Sequence, residues 1–280
     1  MAPAAVTVDE LLEVALRAAA EGAAVLAARD PGSFAATEKS SDADWVTAFD
    51  VAAENAVRAV IGDARPHDVI TGEELAPELP AEPSGYRWSI DPLDGTMNFI
   101  RNIAYHCTSV AVAGPDGQWL AGVVNAPALR RVYFATRGGG AWLDETRADG
   151  VQSLRALHGP TEVRGGTLLA TAVTNNVALR RRLVSELNGR MDHFGDFRRL
   201  GSAALELCAV AEGGVDGYLE YGLFEHDFAA AALIAEEAGA WVHRPELSPA
   251  INGLPSREEV LSVWTGACVP GMEGNFAPAE

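Results

Sequence analysis

The chain is poor in cysteine, in basic residues and in long apolar runs, and each shortage removes a class of protein. Cys107, Cys208 and Cys268 are odd in number and widely spaced. They form no C-x-x-C pair and no disulfide framework, and they fit reduced core or surface thiols in a cytoplasmic protein. Lysine and arginine total 21 against 39 aspartates and glutamates, for a net charge of −18. So acidic a chain repels a nucleic-acid backbone, and nucleic acid is not expected as a partner. A solubilising surface accounts for most of the excess, and bound cations could offset some of it. No apolar run approaches the ~20 residues of a membrane span. The opening M-A-P-A-A has no basic region followed by an apolar block, so neither export nor insertion is expected. Repeats and low-complexity linkers are also missing, and only the tail from about residue 245 is rich in proline and glycine.

What is present is enough apolar material for a large core. With 280 residues and 48% hydrophobic content, the chain can fold as one domain or as two closely packed halves. Thr7 and Glu10 form a capping box, and Leu11, Leu12, Val14, Ala15, Ala18 and Ala19 continue an amphipathic helix to about Arg29. A second helix is expected near residues 51–61. Strand-like runs at 107–113, 119–125 and 132–136, separated by turn residues, suggest an antiparallel meander. Beyond them, 168–174 reads as a strand, 176–187 as an arginine-rich helix, 202–211 and 228–238 as apolar helices, and 260–264 as a strand. The second half is therefore expected to be α/β.

The most informative segment is I-D-P-L-D-G-T over residues 90–96. Residues 86–90 read as a strand, Pro92 stiffens a turn, and Gly95 allows close backbone approach to a ligand. Thr96 opens a short helical segment whose free N–H groups can face an anion. Asp91 and Asp94 supply the hard oxygens that magnesium takes, and a phosphate would complete the metal's shell. The same D-P-x-D-G composition serves an ordinary turn, and by itself it does not choose between the two. Three distant segments also set acids at the edges of regular elements: Asp44 and Asp50 before the second helix, Glu73 and Glu74 after V-I-T-G, and Glu220 with Asp227 near the C-terminus.

With these segments in view, the sequence resembles the inositol monophosphatase family over about residues 8–245. The resemblance rests on W-S-I-D-P-L-D-G-T-M-N-F at 88–99, on H-D-F-A-A-A-A-L-I-A-E-E-A-G at 226–239, and on L-G-S-A-A at 200–204. The T-G-E-E and V-T-x-x-D segments fall in the family's order. It implies an α/β (α+β) fold, a layered α-β-α-β-α sandwich of the inositol monophosphatase and fructose-1,6-bisphosphatase type. Residues 1–140 would then carry most metal ligands, and 141–280 the substrate contacts and the last metal aspartate.

The resemblance also implies roles. Glu73, Asp91 and the carbonyl of Leu93 would bind one magnesium, and Asp91, Asp94 and Asp227 a second; Glu73 could contact a third. Thr96 and Asp50 would orient and deprotonate a water, while the Gly95 and Thr96 amides hold phosphate. Gly201, Ala203 and Glu220 would contact the leaving alcohol, helped by Asp94 and Asp227. Lys39, Glu74 and Asn175 are further candidates near the site. Inhibition by lithium, a small phosphorylated metabolite as substrate, and a cytoplasmic homodimer are implied as well. Two departures stand out: His226 replaces the family's tryptophan, and Met97 replaces a threonine. His226 is either a supporting residue or a new polar contact to substrate. His106, His193 and Arg198 have no catalytic position.

Charge explains why such a site needs metal. A phosphate monoester is a dianion that repels both hydroxide and bare carboxylates, so an acid cluster is useful to it only when loaded with cations. Two classes of function follow: a magnesium-dependent phosphatase, or a non-catalytic protein on the same fold that binds metal or phosphate. Retention of Asp50, Glu73, Asp91, Asp94, Thr96 and Asp227 favours the enzyme. Among substrates, polyol, sugar, amino-alcohol (histidinol-type), fructose-1,6-bisphosphate and nucleotide phosphates all stay open.

Overall fold

A computed structural model of the chain describes residues 6–29, 36–38, 45–159, 166–172, 177–190, 192–245 and 264–276. Helix α1 (Val8–Ala27) begins where its capping box directs: the Glu10 amide donates to Thr7 Oγ1 at 3.2 Å, and the Thr7 amide donates to Glu10 Oε2 at 2.8 Å. After a short hairpin of β1 (Ala36–Glu38) and β2 (Trp45–Thr47), helix α2 (Ala48–Ala64) starts three residues before the expected position. Leu11, Val14, Ala15 and Ala18 of α1 and Val57 and Ile61 of α2 bury one stripe each, against Trp88, Ile90, Val110, Val112 and Val123 of the first sheet. Each large side chain buried there contributes roughly 1.5–3 kcal/mol.

That sheet has seven strands in the order β3 (Val69–Gly72), β4 (Arg87–Asp94), β5 (Cys107–Ala113), β6 (Trp119–Ala126), β7 (Arg131–Thr136), β8 (Gly140–Thr146) and β9 (Gln152–Leu157). β3 runs parallel to β4, and every later pair is antiparallel. The expected meander is present and is longer than expected. β8 and β9 carry exposed apolar residues, among them Trp142 and Leu154, which blur the alternation that marks a half-buried strand.

The D-P-L-D segment departs from the expected turn. β4 does not stop at Ile90 but runs on to Asp94, with its register jumping from Asp91↔Ser109 to Asp94↔Cys107. This is a bulge, a place where a strand tolerates proline because no ladder donor is needed. The Pro92 carbonyl accepts from Thr108 Oγ1 at 2.9 Å, and the Leu93 amide donates to Asp91 Oδ1 at 3.0 Å.

The opposite face of this sheet is covered by α5 (Ala203–Glu212) and α6 (Glu225–Glu237). Contact is close because the facing residues are small: a Cβ at Gly122 would stand 2.8 Å from Ala230 Cα. Beyond these helices lies a five-stranded sheet in the order β11 (Asp196–Arg198), β10 (Leu168–Thr171), β12 (Gly217–Tyr221), β14 (Trp264–Cys268), β13 (Trp241–His243). Leu187 of α4 (Val177–Arg190) packs with Leu169, Phe194, Leu219 and Phe276 against its outer side. The layers are therefore α-β-α-β-α, as expected. All three cysteines are buried. Among the described residues, no helix is long and apolar enough to cross a membrane.

Candidate active site where β4, α5 and α6 meet

The β4 bulge sets Asp91 and Asp94 at the strand's end, both buried. Gly95 follows at φ +93°, and a Cβ there would come within 2.9 Å of the Tyr105 carbonyl. Glycine is thus required by the backbone itself, in addition to the ligand access expected from sequence. Thr96 opens α3 (Thr96–Ile100). Its hydroxyl lies 3.1 Å from the Leu93 carbonyl and 3.4 Å from Oδ1 of Asp50, which is fully buried on α2. One proton therefore has two acceptors, and the Asp50–Thr96 pair expected from sequence is assembled.

Asp94 links the two sheets. Ser202 Oγ donates to its Oδ2 at 2.6 Å, the Ala204 amide to Oδ2 at 2.7 Å, and the Ala203 amide to Oδ1 at 3.3 Å. A carboxylate at the N-terminus of α5 satisfies amides that the helix cannot pair itself. Burial nevertheless raises the Asp94 carboxyl to about 6, against the lowering effect of these donors. Asp227 sits in the first turn of α6 and accepts the Phe224 amide at 2.6 Å. Burial, followed by Glu73 and Asp94, pushes its carboxyl well above the usual range. Asp91 is raised in the same way by burial and then by Glu73, Asp94 and Asp227. Four acids from β4, α6 and the end of β3 therefore act on one another. Glu73 is the exposed member, directly after β3, with its amide on the Ile90 carbonyl at 3.2 Å.

Among the described residues, no three Asp, Glu, His or Cys side chains are already gathered as a formed metal centre. The donor set still fits magnesium: hard oxygens only, with like charges converging from separate elements and the three buried aspartates held above their usual range. A cation would relieve that repulsion, and Glu73, Asp91, Asp94, Asp227 and the Leu93 carbonyl are the groups that could hold it.

Gly201 and Ala203 stand beside this cluster, Gly201 at φ +91° with its amide donating to Glu206 Oε1 at 3.0 Å. Glu220, on β12, accepts from the Tyr218 hydroxyl at 2.6 Å. Burial raises both Glu220 and Glu206 to about 8, and Glu220 is among the causes at Glu206. His226 stacks on Phe224, ring centroids 5.6 Å apart, with its Nε2 3.8 Å from Asp227 Oδ1. Glu74 gives its amide to Glu54 Oε2 at 2.8 Å. Lys39 and Asn175 lie outside the described residues.

Sequence reasoning missed several residues that build this geometry. Ser202 caps α5 and holds Asp94; its place before an apolar helical run was the available signal. Asn98 Nδ2 donates to the carbonyls of Tyr105 (2.7 Å) and Leu200 (2.8 Å), tying α3 to the loop before α5. Arg87 and Glu225 form an ion pair between β4 and α6 that fixes the two aspartate-bearing elements relative to each other. Nothing in the local sequence marks that pair.

Fold and site together define a layered α/β protein with a cluster of converging acids, mostly buried, of the kind that takes divalent cations. The profile of the inositol monophosphatase family matches residues 7–269, and the chain belongs to that family. It is 38% identical over 240 residues to Nus factor SuhB of Pasteurella multocida (strain Pm70), covering 84% of this chain and 85% of that protein. It is 40% identical over 214 residues to inositol-1-monophosphatase of Mycobacterium bovis (strain ATCC BAA-935 / AF2122/97), covering 75% and 72%. The crystal structure of extragenic suppressor protein suhB from Bartonella henselae superposes with a TM-score of 0.78 at 28% identity, covering 95% of this chain and 96% of that one.

Proposed function

We propose that the chain is a magnesium-dependent phosphomonoesterase for a small polyol, sugar or amino-alcohol phosphate. The observation that carries this reading is the Asp50–Thr96–Leu93 arrangement beside Asp91, Asp94, Asp227 and Glu73. It combines a proton acceptor with a cation-binding acid set. Those acids would hold magnesium, which would supply positive charge against the phosphate dianion and lower the pKa of a water it binds. The protein's share is proton handling and positioning. The attacking water gives its proton to Asp50 by way of the Thr96 hydroxyl, the new P–O bond forms, and the ester P–O bond breaks as the leaving oxygen takes a proton from a second water, after which Asp50 returns its proton to solvent. Glu220, Gly201 and Ala203 face the leaving alcohol. His226, stacked beside Asp227, borders the same space.

A panel of phosphorylated metabolites compared by kcat/KM, with magnesium and in excess chelator, tests the reaction and ranks substrates. Glu220→Gln and His226→Trp test the pocket. Each is expected to change the ranking of esters, by about 1–3 kcal/mol for a lost hydrogen bond to a charged group. A uniform loss with unchanged ranking would place both residues in supporting roles. A second, non-catalytic reading comes from the relatives named Nus factor SuhB. Tight metal binding without turnover of any ester would favour it. The cytoplasmic homodimer inferred from the resemblance is open to cell fractionation and sedimentation.

A further inference from the structure

Glu73 is the one acid of the set carried by a loop and not by a strand or helix. It is exposed, and it faces Asp91 and Asp227, whose charges repel it. Something must hold that loop against the repulsion before a cation arrives.

The structure places a buried ion pair behind it. Glu54, on α2, is fully buried and accepts the amide of Glu74 at 2.8 Å and that of Leu75 at 3.3 Å. Arg58, one turn further on and 5% exposed, bonds Glu54 Oε1 through Nε at 2.8 Å. It also donates to the Leu75 carbonyl at 3.2 Å and reaches Glu78 Oε1 at 3.1 Å. The carboxylate presses so closely on the end of β3 that a Cβ at Gly72 would stand 2.2 Å from Glu54 Oε1. The chain just after Glu73 is thus held through the Glu74 and Leu75 backbone, and the Glu54 carboxylate packs against Gly72 just before it. Asp50 and Glu54 are four residues apart on α2, so they share a helix face. One helix therefore carries the proton acceptor and the clamp on the metal-binding loop.

We infer that Glu54 and Arg58 are positioning residues that preorganise Glu73 for a divalent cation. The inference rests on the metal-dependent reading above and adds to it the residues that set affinity at one metal position. The clamp works through backbone amides of neighbouring residues and does not engage the Glu73 carboxylate itself.

The test is direct metal binding by the full chain without substrate, with Mn2+ and Mg2+ followed by calorimetry, alongside thermal melting in chelator. Glu54→Gln keeps an oxygen acceptor for one amide but loses the charge that pairs with Arg58. Gly72→Ala keeps Glu54 and displaces it sterically. Each is expected to weaken binding at the Glu73 position about 10–100-fold, the range for residues that orient metal ligands. Half-saturating Mg2+ for turnover should rise by the same factor, with KM for the ester unchanged at saturating metal. Combining Glu54→Gln with Glu73→Gln should add no loss beyond Glu73→Gln alone, whereas a merely structural role would add one. Wild-type isotherms in both Glu54→Gln and Gly72→Ala, or an additive double variant, overturn the inference. If Glu54→Gln does not fold, Gly72→Ala decides alone. Failure of the wild-type chain to bind either cation would instead overturn the metal-dependent reading itself.

Discussion

Asp91→Asn should make the metal-free protein more stable and the enzyme inactive, and the two effects have one cause. Asp91 is buried, and its carboxyl is raised by that burial and then by Glu73, Asp94 and Asp227. An acid whose pKa is higher in the folded state stabilises the fold fully below its unfolded pKa. That contribution is lost as pH rises toward the folded value. Metal-free wild type should therefore weaken steadily as pH climbs above about 4. Asparagine cannot ionise, and it keeps the Oδ1 that accepts the Leu93 amide at 3.0 Å, so the β4 bulge survives. Each like-charge pair at separations of several ångströms costs roughly 2–4 kcal/mol at an effective dielectric of about 20. Relaxation and partial protonation reduce this, and a gain on the order of 2 kcal/mol is expected for Asp91→Asn at pH 8 in chelator, shrinking toward zero near pH 4. Saturating magnesium should reverse the order. A ligand at one hundred times its Kd stabilises wild type by about 2.7 kcal/mol, and the variant should gain little. Urea melts of both proteins across pH, with chelator and with magnesium, measure the crossing, and kcat with a phosphomonoester measures the loss of function. A variant less stable than wild type in chelator at every pH would refute the repulsion argument, and near wild-type kcat would refute the metal role of Asp91.

Excess chelator should abolish turnover and added magnesium restore it, and lithium should inhibit through the Asp91, Asp94 and Asp227 set; turnover unaffected by either treatment counts against the proposed mechanism. Ser202→Ala removes the 2.6 Å donor to Asp94 and the cap on the Leu205 amide. It should cost about 1–2 kcal/mol and move the acidic limb of the kcat/KM profile to higher pH, because that donor favours the charged carboxylate; an unmoved limb would show that Asp94 does not set it. Glu206, raised to about 8 by burial and then by Glu220, should cost the fold stability as pH rises from about 4.5 toward 8. Glu206→Gln should flatten that slope, with a gain on the order of a few kcal/mol at pH 9, and parallel wild-type and variant curves in denaturant titrations would argue against it.

Local chemistry along the chain was sufficient for much of this protein. The Thr7–Glu10 box and the apolar stripe of α1, the strand β5 at its observed ends, and the D-P-L-D-G-T acids are written in neighbouring residues, because caps, periodicity and ligand spacing are short-range properties. What the local pattern could not decide was pairing across distance. That β4 continues through Pro92 as a bulge depends on Thr108 and the register with β5. That Asp94 serves α5 depends on Ser202, 108 residues away, and that Glu54 grips the loop of Glu73 depends on α2 packing against β4, which brings Glu54 to the end of β3. His226 reads as an isolated substitution in sequence, and in the structure it is a ring stacked on Phe224 beside Asp227. A side chain's neighbours in sequence set which conformations it favours; which charges, donors and rings it meets is settled only when distant elements pack, and in this protein those meetings build the site.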